Sequence, residues 1–255
     1  MSESDAVSYY IKSIEDILKR ESPAEKTAAI IFEPIQGEGG FIPAPIEWVK
    51  AVREICNKQK IIMISDEVQT GFARSGKMFA SDYYREEGCL PDMMTVAKAL
   101  GGGMPLSAVI GSAEVMDNVT PGTIGGTYGG NPIACASGIA TIKVMEQEDY
   151  PKMALDIGQK CMSRFSEWKD KYEVIGDCRG IGAMIAIEFV KSKETKEPDS
   201  DIVKKIINVS LNRGLLILNA GVYGNVIRML SPLNITNEQI DIGLDILEDA
   251  IKDCI

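Results

Sequence analysis

IIMISDEVQ, residues 61–69, decides the architecture. Ile61 to Ser65 form an apolar, β-branched run with no polar alternation before the closing serine, and two carboxylates, Asp66 and Glu67, follow at once. An unbroken apolar run is the pattern of a strand covered on both faces. The same texture recurs at Ala28–Phe32 (AAIIF), Met93–Val96 (MMTV) and Ala108–Ile110 (AVI), and a helical pattern over Ile46–Lys58 separates the first of these from IIMIS. Buried strands alternating with helices predict an α/β fold with a mostly parallel sheet covered by helices.

Val7, Tyr10, Ile11, Ile14, Ile17 and Leu18 recur at spacings of three and four and predict a helix over Asp5–Lys19. Pro34 to Pro45 is rich in Gly and Pro and reads as a loop. Beyond Asn131 the texture changes to two long helical stretches, Pro132–Gln147 and Pro151–Tyr172. Strand-like Ala183–Phe189, helical Ser200–Asn212, strand-like Leu215–Asn219 and Val226–Met229, and a last helix follow. That last helix is signalled by Thr236 with Gln239 three residues on, a capping box, and by the face Ile240, Leu244, Leu247, Ile251. The change of texture places a domain boundary near 150, with one domain over 1–150 and a smaller one over 151–255.

Composition removes whole classes of chemistry. The 255 residues contain no histidine, so no Ser-His-Asp or Cys-His nucleophile and no His-ligated metal can be built. Acid–base work falls to Lys, Asp, Glu, Tyr or Cys. A net charge of −10 without a Lys/Arg block argues against nucleic acid and against an anionic membrane surface. Cys56, Cys89, Cys135, Cys161, Cys178 and Cys254 are scattered without a CxxC pair, as expected of thiols in the cytoplasm, and no metal site is expected. No apolar run is long enough to span a bilayer.

GFARSGKM, Gly71 to Met78, imitates a phosphate loop, but Met78 stands where Ser or Thr would hold magnesium. The stronger pattern lies at two strand ends. Asp66 follows the strand IIMIS, and Lys98 follows the strand MMTV, flanked by Ala97 and Ala99 and preceding three glycines. Taken singly, Asp66 reads equally as a cap for the next turn and Lys98 as a surface lysine. A lysine desolvated there would have a lowered pKa and form imines readily, and Asp with Lys at neighbouring strand ends is the pair pyridoxal phosphate requires.

Six motifs then match one family in order: EPIQGEGGF from Glu33, SDEVQTGFARSG from Ser65, PDMMTVAKALGGGMPL from Pro91, GGTYGGNPIACA from Gly125, GDCRGIGAMIAIE from Gly176 and GNVIRMLSPLNIT from Gly224. The chain resembles the class III (subgroup II) aminotransferases of pyridoxal-phosphate fold type I, most nearly the 4-aminobutyrate aminotransferases. The resemblance implies that residues 1–150 are the C-terminal part of a cofactor-binding large domain and 151–255 a small α+β domain. It implies Lys98 as Schiff-base lysine and proton shuttle, Asp66 as partner of the pyridine nitrogen, Val68 beneath the ring and Gln69 beside the ring hydroxyl. Thr127 would reach the phosphate of a neighbouring subunit, so a homodimer with shared active sites is implied. Arg228 resembles the clamp for an α-carboxylate, Glu38 the acid that pairs with it when the substrate lacks one, and Glu33 a further acid of the substrate pocket.

The implied reaction moves an amino group from an ω-amino acid to 2-oxoglutarate. Ornithine or acetylornithine aminotransferase and amino-acid epimerase activities belong to the same family, and a non-catalytic remnant or scaffold subunit is the alternative of another class. Family members carry a long N-terminal portion that has no match here, including a glycine-rich phosphate loop, a ring-stacking aromatic and an arginine for the distal carboxylate. The resemblance therefore implies weak cofactor binding and low activity for this chain alone.

Overall fold

The computed structural model describes residues 2–255. In chain order it comprises α1 (Glu3–Arg20), β1 (Ala29–Phe32), β2 (Ile35–Gln36), β3 (Ile42–Pro43), α2 (Ile46–Gln59), β4 (Ile62–Asp66), β5 (Met93–Val96) and β6 (Ala108–Gly111). There follow α3 (Ala113–Met116), α4 (Pro132–Gln147), α5 (Tyr150–Lys171), β7 (Ile175–Ile181), β8 (Met184–Phe189), α6 (Ser200–Asn212), β9 (Leu218–Ala220), β10 (Val226–Met229) and α7 (Asn237–Cys254). Two compact units result: 1–34, 44–72 and 79–147 form the first, and 35–43, 73–78 and 148–255 the second. Two stretches that a single division at 150 would leave in the first part, Ile35–Pro43 and Ala73–Met78, thus pack with the second.

In the first unit the sheet order is β1-β4-β5-β6. β1, β4 and β5 are parallel, with Phe32 opposite Ser65 and Asp66 opposite Thr95. β6 runs antiparallel to β5, Val96 facing Ala108. No crossover helix separates these two strands, and antiparallel neighbours need none. Ile61 and Met63 pack on Val49, Val52 and Cys56 of α2, and Ile14 and Leu18 of α1 close this cluster. The intervening residues Ile62 and Ile64 are only partly covered, Ile31 of β1 is 57% exposed, and Val109 and Ile110 of β6 are exposed. Strands expected to be covered on both faces are therefore covered mainly on one by the described residues, because α1 and α2 pack together as one layer.

In the second unit β7-β8-β10-β9 form an antiparallel sheet. Alternation along β8 sends Ile185, Ile187 and Phe189 into one core and Met184 and Ala186 into another. The first core is completed by Phe165 and Trp168 of α5, Ile206 of α6, and Leu244, Leu247 and Ile251 of α7. The second is closed by Ile35 and Phe41 of the β2–β3 hairpin, a segment the sequence reads as loop. Burying Phe41 completely contributes roughly 1.5–3 kcal/mol, enough to hold a hairpin of two-residue strands in place. α7 begins as expected, with Gln239 N donating to Thr236 Oγ1 (3.2 Å) and Thr236 N to Gln239 Oε1 (3.0 Å).

Candidate functional site

The C-terminal ends of β4 and β5 carry the candidates of the first unit. Asp66 is the last residue of β4, and its Oδ1 accepts from Val68 N (3.1 Å) and from Thr95 Oγ1 (3.2 Å) across the ladder. Oδ2 accepts no hydrogen bond from the described residues, so one carboxylate oxygen is fixed by the fold and the other is available. Lys98 lies three residues beyond Thr95, at the start of the helical turn Lys98–Gly101. Adjacent strands lie about 4.8 Å apart, so Asp66 and Lys98 share one sheet edge. Open α/β sheets place ligands at this edge.

Lys98 has φ 42°, a left-handed backbone that costs a side chain of this size of order 1–2 kcal/mol. The turn is held by Ser137 of α4, whose hydroxyl donates to Gly101 O (2.8 Å), and is released by Gly102 at φ 55°. Lys98 is exposed among the described residues. Val68 and Gln69 follow Asp66 in the turn after β4, and the buried Gln69 Oε1 has no hydrogen-bond partner. Thr127 stands in an exposed segment between Gly125-Gly126 and Gly129-Gly130, and the structure does not bring it into the Asp66 cluster through any hydrogen bond. Glu33 is half-buried directly after β1.

Glu67 was not singled out by the sequence, yet it organises this edge. Fully buried, it accepts from Ala80 N (3.0 Å), Ser81 N (2.7 Å), Ser81 Oγ (2.7 Å) and the Thr70 hydroxyl. Its own N–H donates to Thr95 O (2.9 Å) and its carbonyl accepts from Gly71 N (2.9 Å). The turn bearing Val68 and Gln69 is thereby bracketed at both ends. Burial, with the Glu67 carboxylate adding to it, also pushes the Tyr84 phenol well above its ordinary value. The signal available in sequence was a carboxylate among small hydroxyl residues, Ser65, Thr70 and Ser81.

The second unit carries the other two candidates. Arg228 on β10 pairs in the ladder with Ala186 and Leu218, and its Nη1 donates to Glu38 Oε1. The arginine side chain is 13% exposed and the glutamate 74%. Arg228 Nε is buried without an acceptor. The Gly71–Met78 stretch is no phosphate loop: Arg74 donates to Ser231 O (2.8 Å) and Ala183 O (3.5 Å), and burial lowers its pKa to about 10.

The fold is of the α/β class, with Asp66 and Lys98 at one edge of a mostly parallel sheet. The sequence profile of the class-III aminotransferases matches residues 1–251, and the chain belongs to that family. It is 43% identical over 243 residues to the 5-aminovalerate aminotransferase of Pseudomonas putida, covering 95% of this chain and 56% of that protein. It is 42% identical over 253 residues to the 4-aminobutyrate aminotransferase of Escherichia coli, covering 99% of this chain and 58% of that protein. Among solved structures, an amine transaminase from an uncultivated Pseudomonas species in its pyridoxal-phosphate-bound form superimposes with a TM-score of 0.89 at 31% identity, covering 100% of this chain and 58% of that one. The chain thus spans less than two thirds of the length of these relatives. No helix among the described residues is long and apolar enough to cross a membrane.

Proposed function

We propose that this chain carries the cofactor-anchoring and carboxylate-clamping residues of an ω-amino acid aminotransferase that uses 2-oxoglutarate as acceptor. The observation that carries the reading is the edge shared by Asp66 and Lys98, with Asp66 Oδ2 and the buried Gln69 Oε1 both left to accept. An unsatisfied buried acceptor costs about 1–3 kcal/mol, and a ring bearing a donor relieves it, so these residues fit pyridoxal phosphate. When bound, that group supplies an electron sink for the charge that develops at the substrate carbon.

Each residue then has a task. Lys98 would hold the group through its amine and, when released, would take and return the proton at the substrate carbon. Asp66 would accept from the ring nitrogen and keep it charged. Gln69 would serve the ring hydroxyl, Val68 the ring face, and Thr127 the phosphate in a partner subunit. Arg228 binds the α-carboxylate of glutamate or 2-oxoglutarate with its fork. With 4-aminobutyrate or 5-aminovalerate, which have no α-carboxylate, Glu38 keeps Arg228 neutralised. A pair with one partner so exposed is worth roughly 0.2–1 kcal/mol, so an incoming carboxylate displaces Glu38 easily. Glu33 lines the substrate pocket.

A homodimer accounts for exposed apolar residues on the first unit, among them Val109, Ile110, Ile133 and Ile139. A cytoplasmic setting agrees with six free thiols. The exposure of Lys98 and Thr127 makes low turnover the expectation for this chain by itself.

Titration with pyridoxal phosphate, followed by the visible absorbance of the lysine adduct, tests the reading. A band in the wild type that is lost in Lys98→Ala supports it, and transfer from 4-aminobutyrate or 5-aminovalerate to 2-oxoglutarate supports the substrate class. An adduct band that survives in Lys98→Ala refutes the assignment of the anchor.

A further inference from the structure

Glu38 reaches Arg228 from the loop Gly37–Phe41, and little around its carboxylate holds it there, since the side chain is 74% exposed. Its position is set through the backbone. Gly221 N donates to Glu38 O (2.9 Å), and two residues on the Gly40 carbonyl accepts a fork from Arg179, Nε at 3.0 Å and Nη2 at 2.8 Å. The loop is held in left-handed backbone, Gly40 at φ 119° and Phe41 at φ 56°. A Cβ at Gly40 would crowd both Arg179 Nη2 and Gly221 Cα at 3.3 Å, and its φ of 119° is one that side chains rarely adopt, so glycine suits the fork.

The remaining nitrogen of Arg179 is committed as well. Nη1 donates to Asp177 Oδ2 (3.2 Å) and to Glu188 Oε2. Asp177 is held in turn by Lys169 Nζ (2.9 Å), and Glu188 by Asn225 Nδ2 (3.4 Å). Arg179 is thus a locked side chain on β7, and its fork bridges a sheet strand to the loop that presents Glu38.

We infer that Arg179 is a positioning residue: by fixing the Gly40 carbonyl it sets how firmly Glu38 pairs with Arg228, and so how the site divides its preference between substrates with and without an α-carboxylate. This rests on the reading of Glu38 as the group that competes with a substrate carboxylate for Arg228. A loosened loop leaves Arg228 unpaired for a larger share of the time. Dicarboxylates then bind more tightly, while ω-amino acids meet an uncompensated cation. Arg179→Lys keeps a charge beside Asp177 and Glu188 but removes the fork to Gly40.

The test is calorimetric binding of glutarate, an unreactive dicarboxylate, to the pyridoxal-phosphate-loaded protein, with the two half-reactions measured beside it. Arg179→Lys is expected to bind glutarate about two- to fivefold more tightly, the range spanned by an exposed ion pair. Its kcat/KM falls for 4-aminobutyrate and holds for 2-oxoglutarate. Glu38→Gln tightens glutarate in the same way, and the double variant gains nothing more, because both act on one contact. A merely structural lesion does not tighten a ligand. Should Arg179→Lys unfold, Arg179→Gln takes its place. If Glu38→Gln tightens glutarate and the Arg179 variants do not, or if their half-reactions fall together, the role of Arg179 is overturned. If Glu38→Gln leaves glutarate unchanged, or the wild type takes up none, the carboxylate-competition reading itself falls and the inference with it.

Discussion

Replacing Glu67 by glutamine alters one atom of a fully buried side chain and sets an amide NH2 where backbone N–H groups arrive. Oε2 serves Ala80 N and the Thr70 hydroxyl, and Oε1 serves Ser81 N and the Ser81 hydroxyl. The hydroxyls can turn to accept from the new amide. The two backbone donors cannot, so either orientation of the glutamine leaves one of them facing another donor. Two unsatisfied donors at about 1–3 kcal/mol each, less the smaller cost of burying an amide than a carboxylate, give a net loss of roughly 2–4 kcal/mol. At about 2–4 °C per kcal/mol for a chain of this size, the melting temperature falls by roughly 4–16 °C. Thermal unfolding checks the magnitude, and hydrogen exchange at the Ala80 and Ser81 amides checks the cause. A melting temperature within about 1 °C of the wild type, with both amides as protected as before, would refute the reasoning.

Gln69→Met removes a buried acceptor that has no partner. The cofactor-free protein is expected to melt no lower than the wild type, while the dissociation constant for pyridoxal phosphate rises about five- to tenfold, which a fluorescence titration reads. At Glu248, burial works to raise the carboxyl pKa, but hydrogen bonds from Lys171 (2.9 Å), the Tyr172 hydroxyl (2.9 Å) and Arg164 (3.0 Å) outweigh it and hold the value at about 2. The folded value lies below the ordinary 4.5, so this stabilisation is complete above that pH and is lost as pH falls towards about 2. After solvent screening it is worth about 1–2 kcal/mol. Urea midpoints on either side of this window should therefore fall less with acid in Glu248→Gln than in the wild type.

The parts of the fold that the sequence disclosed are those whose burial follows a simple period. β4 and β5 stand out as apolar runs, and α2, α6 and α7 as stripes, because each presents one continuous apolar face to its core. β7 escaped notice because Gly176, Asp177, Arg179 and Gly180 interrupt any such period, and what holds Arg179 there is a network of distant partners. The β2–β3 hairpin reads as loop for a related reason: its strands are two residues long, and its stability comes from Phe41 inserted against Met184, Ala186 and Val226. At the candidate site, Asp66 and Lys98 could be picked out by position, since each ends a recognisable strand. The pairing of Glu38 with Arg228, 190 residues apart, leaves no local trace, and its expectation came from the family resemblance. The buried environment of Glu67 was equally hidden, because a glutamate beside an aspartate at a strand end looks like two solvated acids.

The threading of the β2–β3 hairpin into the second unit imposes an order on the birth of the protein. Ile35 and Phe41 leave the ribosome well before their packing partners, which extend to Val226. At roughly 5–20 residues per second, the hairpin waits on the order of ten to forty seconds for its core to be synthesised. During that interval two large apolar side chains have no native burial site, a window in which a chaperone binds or a neighbouring nascent chain sticks. The contacts that close this core are long-range, the slow kind to form.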